Sequence, residues 1–128
     1  MSKKILYIVT KSDLGGVTKY LLEIVTHLPQ DYEPFFIMSN EGYFSEELKK
    51  IGLEKNVFFV PMTNSILDIA QHIKSNLETL KIIYKIKPDI IHCNSTTGGI
   101  VGRICGALSF TPVIFTAHGW AFTDGISK

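Results

Sequence analysis

Five short apolar runs divide the chain, and stretches with helical periodicity separate them. The runs do not alternate between apolar and polar residues, which is typical of strands covered on both faces of a parallel sheet. They occupy residues 4–10, 33–39, 57–60, 90–93 and 113–117. Five strands alternating with four helices predict an α/β fold, a Rossmann-like doubly wound parallel sheet with helices on both faces.

Capping and breaking residues mark the first two helices. The pair Gly15-Gly16 opens the first helix, and Pro29 stops it. The second helix, residues 45–51, is predicted to start with Ser45 as its N-cap and to close at Gly52.

The third helix begins after Asp68, a suitable N-cap, and ends before Pro88. Its apolar residues recur at helical spacing, which predicts a stripe buried against the sheet. The residues predicted to be buried are Ile69, Ala70, Ile73, Leu77, Leu80 and Ile83 or Tyr84. The residues predicted to face water are Lys74, Glu78, Lys81 and Lys85.

Strand order decides where a ligand would bind. We expect the order 3-2-1-4-5, which makes the gap between strands one and four the switch point. Ligands of open α/β sheets bind beyond the carboxyl ends of the strands at such a point. The turns at residues 10–16 and 94–99 are therefore predicted to face each other across one crevice, with His118 alongside.

Length and charge limit the possible functions. A chain of 128 residues is the size of one domain. Thirteen Lys and Arg against twelve Asp and Glu give a formal net charge of +1, so no general field favours nucleic acid. We therefore expect no nucleic-acid partner.

The chain shows no secretion signal that we recognise, because the apolar run from Ile5 to Val9 is too short for a signal-peptide core. We expect a cytoplasmic protein, with peripheral association at the inner face of the membrane left open. Cys93 and Cys105 have no CxxC partner and no histidine at ligand spacing, so we expect reduced thiols and no metal site.

Two features at the predicted crevice suit a polar ligand. Gly15 and Gly16 open a helix, whose free N–H groups and positive dipole end attract a phosphate or carboxylate. Ser95 and Thr96 belong to a run of short hydrogen-bonding side chains suited to hydroxyl-rich ligands such as sugars. The plainer alternatives, a simple turn and a helix cap, stay open.

A histidine completes the predicted crevice. His118, followed by Gly119, comes at the end of the fifth strand, where it would serve as an acid or base or bind a sugar hydroxyl. A structural role is the alternative. His92 lies within a strand and is predicted to be a packed core histidine.

Other signature motifs are missing or favour packing. The glycines do not form the GxGxxG dinucleotide motif or the GxxxxGK[ST] phosphate loop, and no GxSxG elbow indicates a serine hydrolase. Gly102 and Gly106 lie in the fourth predicted helix, residues 99–108, and are predicted to allow close packing of helix on sheet.

Four segments together resemble the amino-terminal domain of retaining glycosyltransferases of family 4, especially the bacterial enzymes of capsular and exopolysaccharide assembly. The resemblance extends from about residue 4 to residue 125. The segments are Asp13-Leu-Gly-Gly-Val-Thr-Lys-Tyr-Leu-Leu22, Lys87-Pro-Asp-Ile-Ile-His92, Gly98-Gly-Ile-Val-Gly-Arg103 and Thr116-Ala-His-Gly-Trp-Ala-Phe122.

The resemblance implies one half of a GT-B fold, in which two Rossmann-like domains face a cleft. In this family the amino-terminal domain mainly receives the acceptor, and the carboxyl-terminal domain holds most of the nucleotide-sugar donor. We therefore expect residues 1–128 to be a single acceptor-side domain, with the carboxyl-terminal donor domain of the same protein as its partner. The family needs no cofactor or metal beyond the nucleotide-sugar co-substrate.

The resemblance also assigns roles. Gly15 and Gly16 match the glycine loop near the donor diphosphate and the acceptor, and His118 with Gly119 matches a His-Gly motif that contacts the donor sugar. Ser95 and Thr96 correspond loosely to the acceptor-side loop. The implied function is transfer of a sugar from a nucleotide-sugar donor to a glycan or lipid-linked acceptor in bacterial surface polysaccharide synthesis. The alternative is a stand-alone phosphate or nucleotide-sugar binding module without catalysis.

Overall fold

The computed structural model describes residues 3–9, 16–61, 67–93 and 104–115, and the structural statements below concern those residues. The strands are β1 (Lys3–Ile8), β2 (Tyr32–Met38), β3 (Val57–Phe59), β4 (Ile90–Cys93) and β5 (Val113–Phe115). The helices are α1 (Gly16–Thr26), α2 (Tyr43–Lys50), α3 (Ile69–Ile86) and α4, described over residues 104–109, with a 3-10 turn at Glu54–Asn56.

The strands form one parallel sheet in the order β3-β2-β1-β4-β5, so the predicted fold and strand order are confirmed. Tyr7 in the central strand lies opposite Phe36 of β2 and His92 of β4. Because side chains alternate along a strand, these three residues lie on the same face of the sheet.

The first face of the sheet packs against α1 and α2. Its core contains large side chains, with the Tyr7 and Phe36 rings stacked at 5.5 Å between centroids and Phe44 of α2 edge-on to Phe36. The buried residues are Tyr7, Val9, Leu21, Val25, Phe36, Met38, Phe44 and Leu48. Helix α1 therefore contributes Leu21 and Val25 to this core.

The opposite face packs against α3 and α4. Its buried residues are Leu6, Ile8, Ile37, Val60, Ile83, Ile86, Ile91, Cys93 and Cys105. A Cβ on Gly106 of α4 would overlap Val113 Cγ2 and would lie 3.0 Å from the Thr111 carbonyl oxygen. The prediction that Gly106 allows close packing of helix on sheet is therefore confirmed.

The start of α2 differs from the prediction. The helix begins at Tyr43, and Gly42 is its N-cap, so the prediction that Ser45 caps the helix is wrong. Ser45 lies within the first turn, where its Oγ accepts a hydrogen bond from the Gly42 N–H at 2.9 Å and donates to the Gly42 carbonyl at 3.0 Å. Ser45 hydrogen-bonds the backbone of the N-cap residue from within the first turn, because Gly42 itself has no side chain that could cap the helix.

The start of α3 agrees with the prediction, but its orientation does not. Asp68 is the N-cap, and its Oδ1 accepts the Gln71 N–H at 3.3 Å. The residues of α3 that are buried against the sheet are Ser75, Thr79, Ile83 and Ile86. Ile83 is buried as predicted, and Leu80 is partly buried against the core. Those exposed against prediction are Ile69, Ala70, Ile73 and Leu77.

The connection from β3 explains why the amino-terminal half of α3 leaves its apolar residues exposed. Ser75 Oγ bonds to the carbonyl oxygens of Pro61 and Gln71, and Gln71 Nε2 also donates to Pro61 at 2.9 Å. These bonds hold the amino-terminal half of α3 with its small polar residues toward the sheet.

Within the described ranges, no helix has both the length and the apolar content needed to cross a membrane.

Candidate functional site

The switch point lies between β1 and β4. These strands pair in parallel, with Ile8 opposite Cys93 at their carboxyl ends. The chain after β1 leads to α1 on one face, whereas the chain after β4 leads to α4 on the other. Two connections that leave adjacent strands toward opposite faces open a crevice between them, and this is where ligands of such sheets bind.

The amino end of α1 lies at this edge. The helix starts at Gly16 and runs for 11 residues, so its first N–H groups point toward the carboxyl edge of the sheet. Its first turn contains no acidic residue that would compete for those N–H groups. Thr18, in the same turn, is buried, which holds the beginning of the helix against the sheet. The structure thus places Gly16 where the sequence predicts an anion-attracting helix end.

A pair of aromatic rings lies one residue below the strand ends. The Tyr7 and His92 rings are 5.4 Å apart between centroids and tilted by 43°. Burial raises the pKa of Tyr7, and the nearby Tyr20 of α1 raises it further, so the Tyr7 phenol stays protonated at neutral pH. The half-buried position of His92 against Tyr7 agrees with the prediction of a packed histidine.

The sequence alone does not reveal that these two rings form a pair. The available signal was the position of each residue, one before the last residue of a central strand on the face that α1 covers. Only the register shows that the two rings are neighbours.

Ser39 is a second polar group that the sequence did not single out. It follows directly after β2, at the carboxyl edge of the sheet. Its Oγ is buried and has no hydrogen-bond partner among the described residues. A buried hydroxyl without a hydrogen-bond partner destabilises the folded state, and Ser39 carries this cost at the same edge of the sheet as the crevice.

The remaining predicted site residues lie outside the described ranges. These are Gly15, Ser95, Thr96, His118 and Gly119. Their roles stay predictions, and among the predicted residues only Gly16 is located by the structure.

The described residues provide little for metal or thiol chemistry. No three His, Cys, Asp or Glu side chains come together in the described ranges in a way that would hold a metal ion. Burial raises the pKa of the Cys105 thiol from 9.0 to about 11, and Cys105 Sγ donates to the Asn76 carbonyl at 3.3 Å. A neutral, hydrogen-bonded thiol is a poor nucleophile.

Comparison with known proteins identifies the family. The profile of Glycosyltransferase Family 4 matches residues 14–127. The chain belongs to glycosyltransferase family 4. The resemblance noted in the sequence is thereby confirmed.

Relatives of this family 4 chain include two Escherichia coli proteins. One is UDP-Gal:alpha-D-GlcNAc-diphosphoundecaprenol alpha-1,3-galactosyltransferase, 32% identical over 111 residues, or 85% of this chain and 28% of the relative. The other is the O-antigen biosynthesis glycosyltransferase WbnH, 26% identical over 119 residues, or 93% of this chain and 33% of the relative. The chain spans about a third or less of these relatives.

A solved structure has the same architecture. The crystal structure of Anabaena HepE in complex with UDP and glucose superposes with a TM-score of 0.69 at 17% identity, covering 88% of this chain and 29% of HepE. Identity at that level supports the shared fold and no more.

Proposed function

We propose that this chain is the acceptor-side domain of a glycosyltransferase. The complete enzyme moves a sugar from a nucleotide-sugar donor, with retention, to a glycan or lipid-linked acceptor in bacterial surface polysaccharide synthesis. The observation that carries the proposal is the family match over residues 14–127, which covers the turn at 94–99 and the end of the turn at 10–16. The names of the relatives support it, because one acts on a diphosphoundecaprenol-linked acceptor and the other serves O-antigen biosynthesis.

In this proposal the carboxyl-terminal domain of the same protein supplies most of the donor site. The coverage of the relatives supports that division, since the chain matches 28% and 33% of their lengths. Each relative therefore has room for a second domain of similar size beyond the matched region.

The roles of individual residues follow the same division. The α1 end at Gly16, together with Gly15, would lie near the donor diphosphate and attract its charge. Ser95 and Thr96 would hydrogen-bond acceptor hydroxyls, and His118 with Gly119 would contact the donor sugar. We place the protein in the cytoplasm, in contact with the inner face of the membrane where a lipid-linked acceptor would be presented.

A transfer assay tests the proposal. The 128-residue chain and the full-length product of its gene are each incubated with a panel of nucleotide sugars and acceptors. We expect transfer only by the full-length protein, because the chain alone would lack the donor half. Appreciable transfer by the isolated chain would overturn the half-enzyme proposal.

A matched pair of variants tests His118. His118→Ala in the full-length protein is expected to lower kcat/KM by about twofold to tenfold. This range corresponds to the loss of one hydrogen bond that contributes roughly 0.5–1.5 kcal/mol. The control is His27→Ala directly after α1, where the His27 side chain is exposed. Equal activities of the two variants would return His118 to a structural role.

The alternative of a stand-alone binding module rests on the α1 end at Gly16. It requires the isolated chain to bind inorganic phosphate or UDP with micromolar affinity. A single helix end that is open to water binds anions weakly, so we expect millimolar or weaker binding. Titration of the isolated chain with phosphate or UDP by calorimetry distinguishes the stand-alone binding module from the acceptor-side domain.

A further inference from the structure

Two residues other than glycine have a left-handed backbone in the described part of the chain, and both line the same pocket. They are Lys87, with a φ of 56°, and Phe110, with a φ of 57°. This backbone is uncommon for residues that carry a side chain, and such conformations cluster at ligand sites. We call this cavity of about 310 Å³ the Phe110 pocket; its lining includes Tyr84, Lys87, Asp89, Phe110 and Thr111.

Helix α4 ends in a turn that requires the left-handed backbone of Phe110. The Thr111 N–H donates to the Gly106 carbonyl at 2.9 Å. The Phe110 N–H donates to the Ala107 carbonyl at 3.4 Å. This pair of bonds closes a helix with one left-handed residue, which is usually glycine because glycine has no Cβ to clash with the backbone.

Helix α2 ends in the same turn and has the usual glycine. The Leu53 N–H donates to the Leu48 carbonyl at 2.9 Å. The Gly52 N–H donates to the Lys49 carbonyl at 3.1 Å, and Gly52 has a φ of 85°. Phe110 stands in the place of that glycine and gains nothing from burial, since it is 95% exposed. The fold requires the turn but not an aromatic ring at its tip, so the ring is available to contact a ligand.

The Phe110 pocket combines aromatic surface with a fixed carboxylate. Tyr84, near the end of α3, is more than half exposed and supplies a second aromatic ring. The Asp89 Oδ2 accepts the Lys4 backbone N–H at 2.7 Å, which holds the carboxylate in place. A carboxylate has further lone pairs, so Asp89 can also accept from a ligand. Lys87 is exposed and forms no ion pair with a described carboxylate, so its ammonium can donate.

We propose that the Phe110 pocket is a binding site for the sugar units of a glycan, separate from the crevice. The C–H groups of a sugar ring form an apolar face, which packs against the exposed rings of Phe110 and Tyr84. The hydroxyls around the sugar ring pair with the Asp89 carboxylate and the Lys87 ammonium. Ligand pockets have this composition, in which aromatic walls carry a few polar groups that fix orientation.

The charges of the pocket favour an uncharged ligand. The Asp89 carboxylate repels a phosphate or another anion, which offsets the attraction of Lys87. A protein partner is the less suitable occupant, because lysine and aspartate are depleted at the centre of protein interfaces. A glycan meets both conditions.

The choice of a glycan rests on the proposed function, because that enzyme builds a polysaccharide. The pocket lies at the amino edge of the sheet, where the chain enters β4 and β5, whereas the crevice lies at the carboxyl edge. Strand β4 has 4 residues, so the two sites are roughly 13 Å apart along the strand. A sugar held at the pocket is outside the transfer reaction. It would keep a glycan near the enzyme and raise the local concentration of its reacting end.

Titration of the isotope-labelled 128-residue chain with chitotetraose and with maltohexaose, followed by NMR, tests the site. We expect at least one of the two sugars to shift the amide signals of residues 84–89 and 109–111, with millimolar affinity because the pocket is open to water. Inorganic phosphate should leave these signals unchanged. Shifts with neither sugar, or equal shifts with phosphate, would overturn the proposal.

Phe110→Gly separates a binding role from a structural one. It should raise the Tm by a few degrees, because glycine suits the left-handed position. It should also weaken sugar binding at least about threefold, because a ring contact is lost. The control Leu108→Ala changes an exposed apolar side chain of α4 outside the pocket and should bind like the wild type. A lower Tm for Phe110→Gly, or unchanged binding, would overturn the proposal.

Further measurements identify other occupants. Sugar binding by the 128-residue chain that is absent in the full-length protein would show that another part of the protein covers the pocket. A dimer of the wild type that is lost in Phe110→Gly would show that a second copy does. Either result would overturn the proposal.

Transfer by the full-length protein to a soluble acceptor tests the proposed function separately from the pocket. Sugar binding at the pocket without transfer would reject the proposed function alone. Transfer without sugar binding at the pocket would reject the pocket alone.

Discussion

Helices α1 and α3 pack on opposite faces of one sheet in opposite ways. The α1 helix buries large apolar side chains, Leu21 and Val25, against stacked aromatic rings. The α3 helix turns Ser75 and Thr79 toward the sheet and exposes Ile73 and Leu77 to solvent. Both helices have the same kind of periodic apolar pattern, so periodicity alone does not decide which stripe is buried.

The difference shows what holds each face together. On the α1 face, the free energy comes from removing large apolar surfaces from water. The opposite face also buries apolar side chains, among them Ile83 and Ile86 of α3. It adds close approaches of small residues, because Gly106 lies against Val113 and Thr111, and Ser75 bonds to the loop carbonyl of Pro61. The apolar residues in the amino-terminal half of α3 stay exposed to solvent.

The largest expected effect contrasts one leucine from each helix. Leu21→Ala should lower the free energy of unfolding by about 2–5 kcal/mol, since Leu21 is fully buried and its loss leaves a cavity. Leu77→Ala should change it by no more than about 0.5 kcal/mol, because Leu77 is more than half exposed. Urea unfolding followed by circular dichroism measures both, and similar losses for the two variants would break the comparison.

The next effect tests close packing under α4. Gly106→Ala should cost about 1–3 kcal/mol, because the added methyl group meets a stiff β-branched side chain and a backbone carbonyl. In a Val113→Ala background the same substitution should cost clearly less, since the overlapping Cγ2 is gone. A cost that does not depend on residue 113 would argue that the overlap with Val113 is not its cause.

The smallest effect compares two buried threonines. Thr79 on α3 is buried, and its Oγ1 has no hydrogen-bond partner among the described residues. Thr79→Val should therefore raise the free energy of unfolding by about 1 kcal/mol. Thr18 on α1 is also buried but does have an interaction partner, so Thr18→Val should lower it by about 0.5–1.5 kcal/mol. Thermal unfolding measures both changes, and shifts of the same sign would contradict this view of the two helices.

Local sequence signals determined a large part of this fold. Continuous apolar runs marked the strands because a sheet covered on both faces has no polar side, and β4 was predicted with its observed bounds. Asp68 was identified as the cap of α3 because a carboxylate satisfies free N–H groups at a helix start. The strand order was predicted as the usual order of the doubly wound fold that alternating strands and helices indicate.

Features that depend on distant partners were decided only by the tertiary structure. The buried face of α3 depends on Pro61 and on the space above the sheet, which no periodic pattern encodes. The Tyr7–His92 contact joins residues 85 positions apart and exists because β1 and β4 pair in that register. A sequence specifies which side chains are apolar and where elements begin, whereas packing selects one face of each element, because the alternatives differ in contacts that form only after the chain has folded.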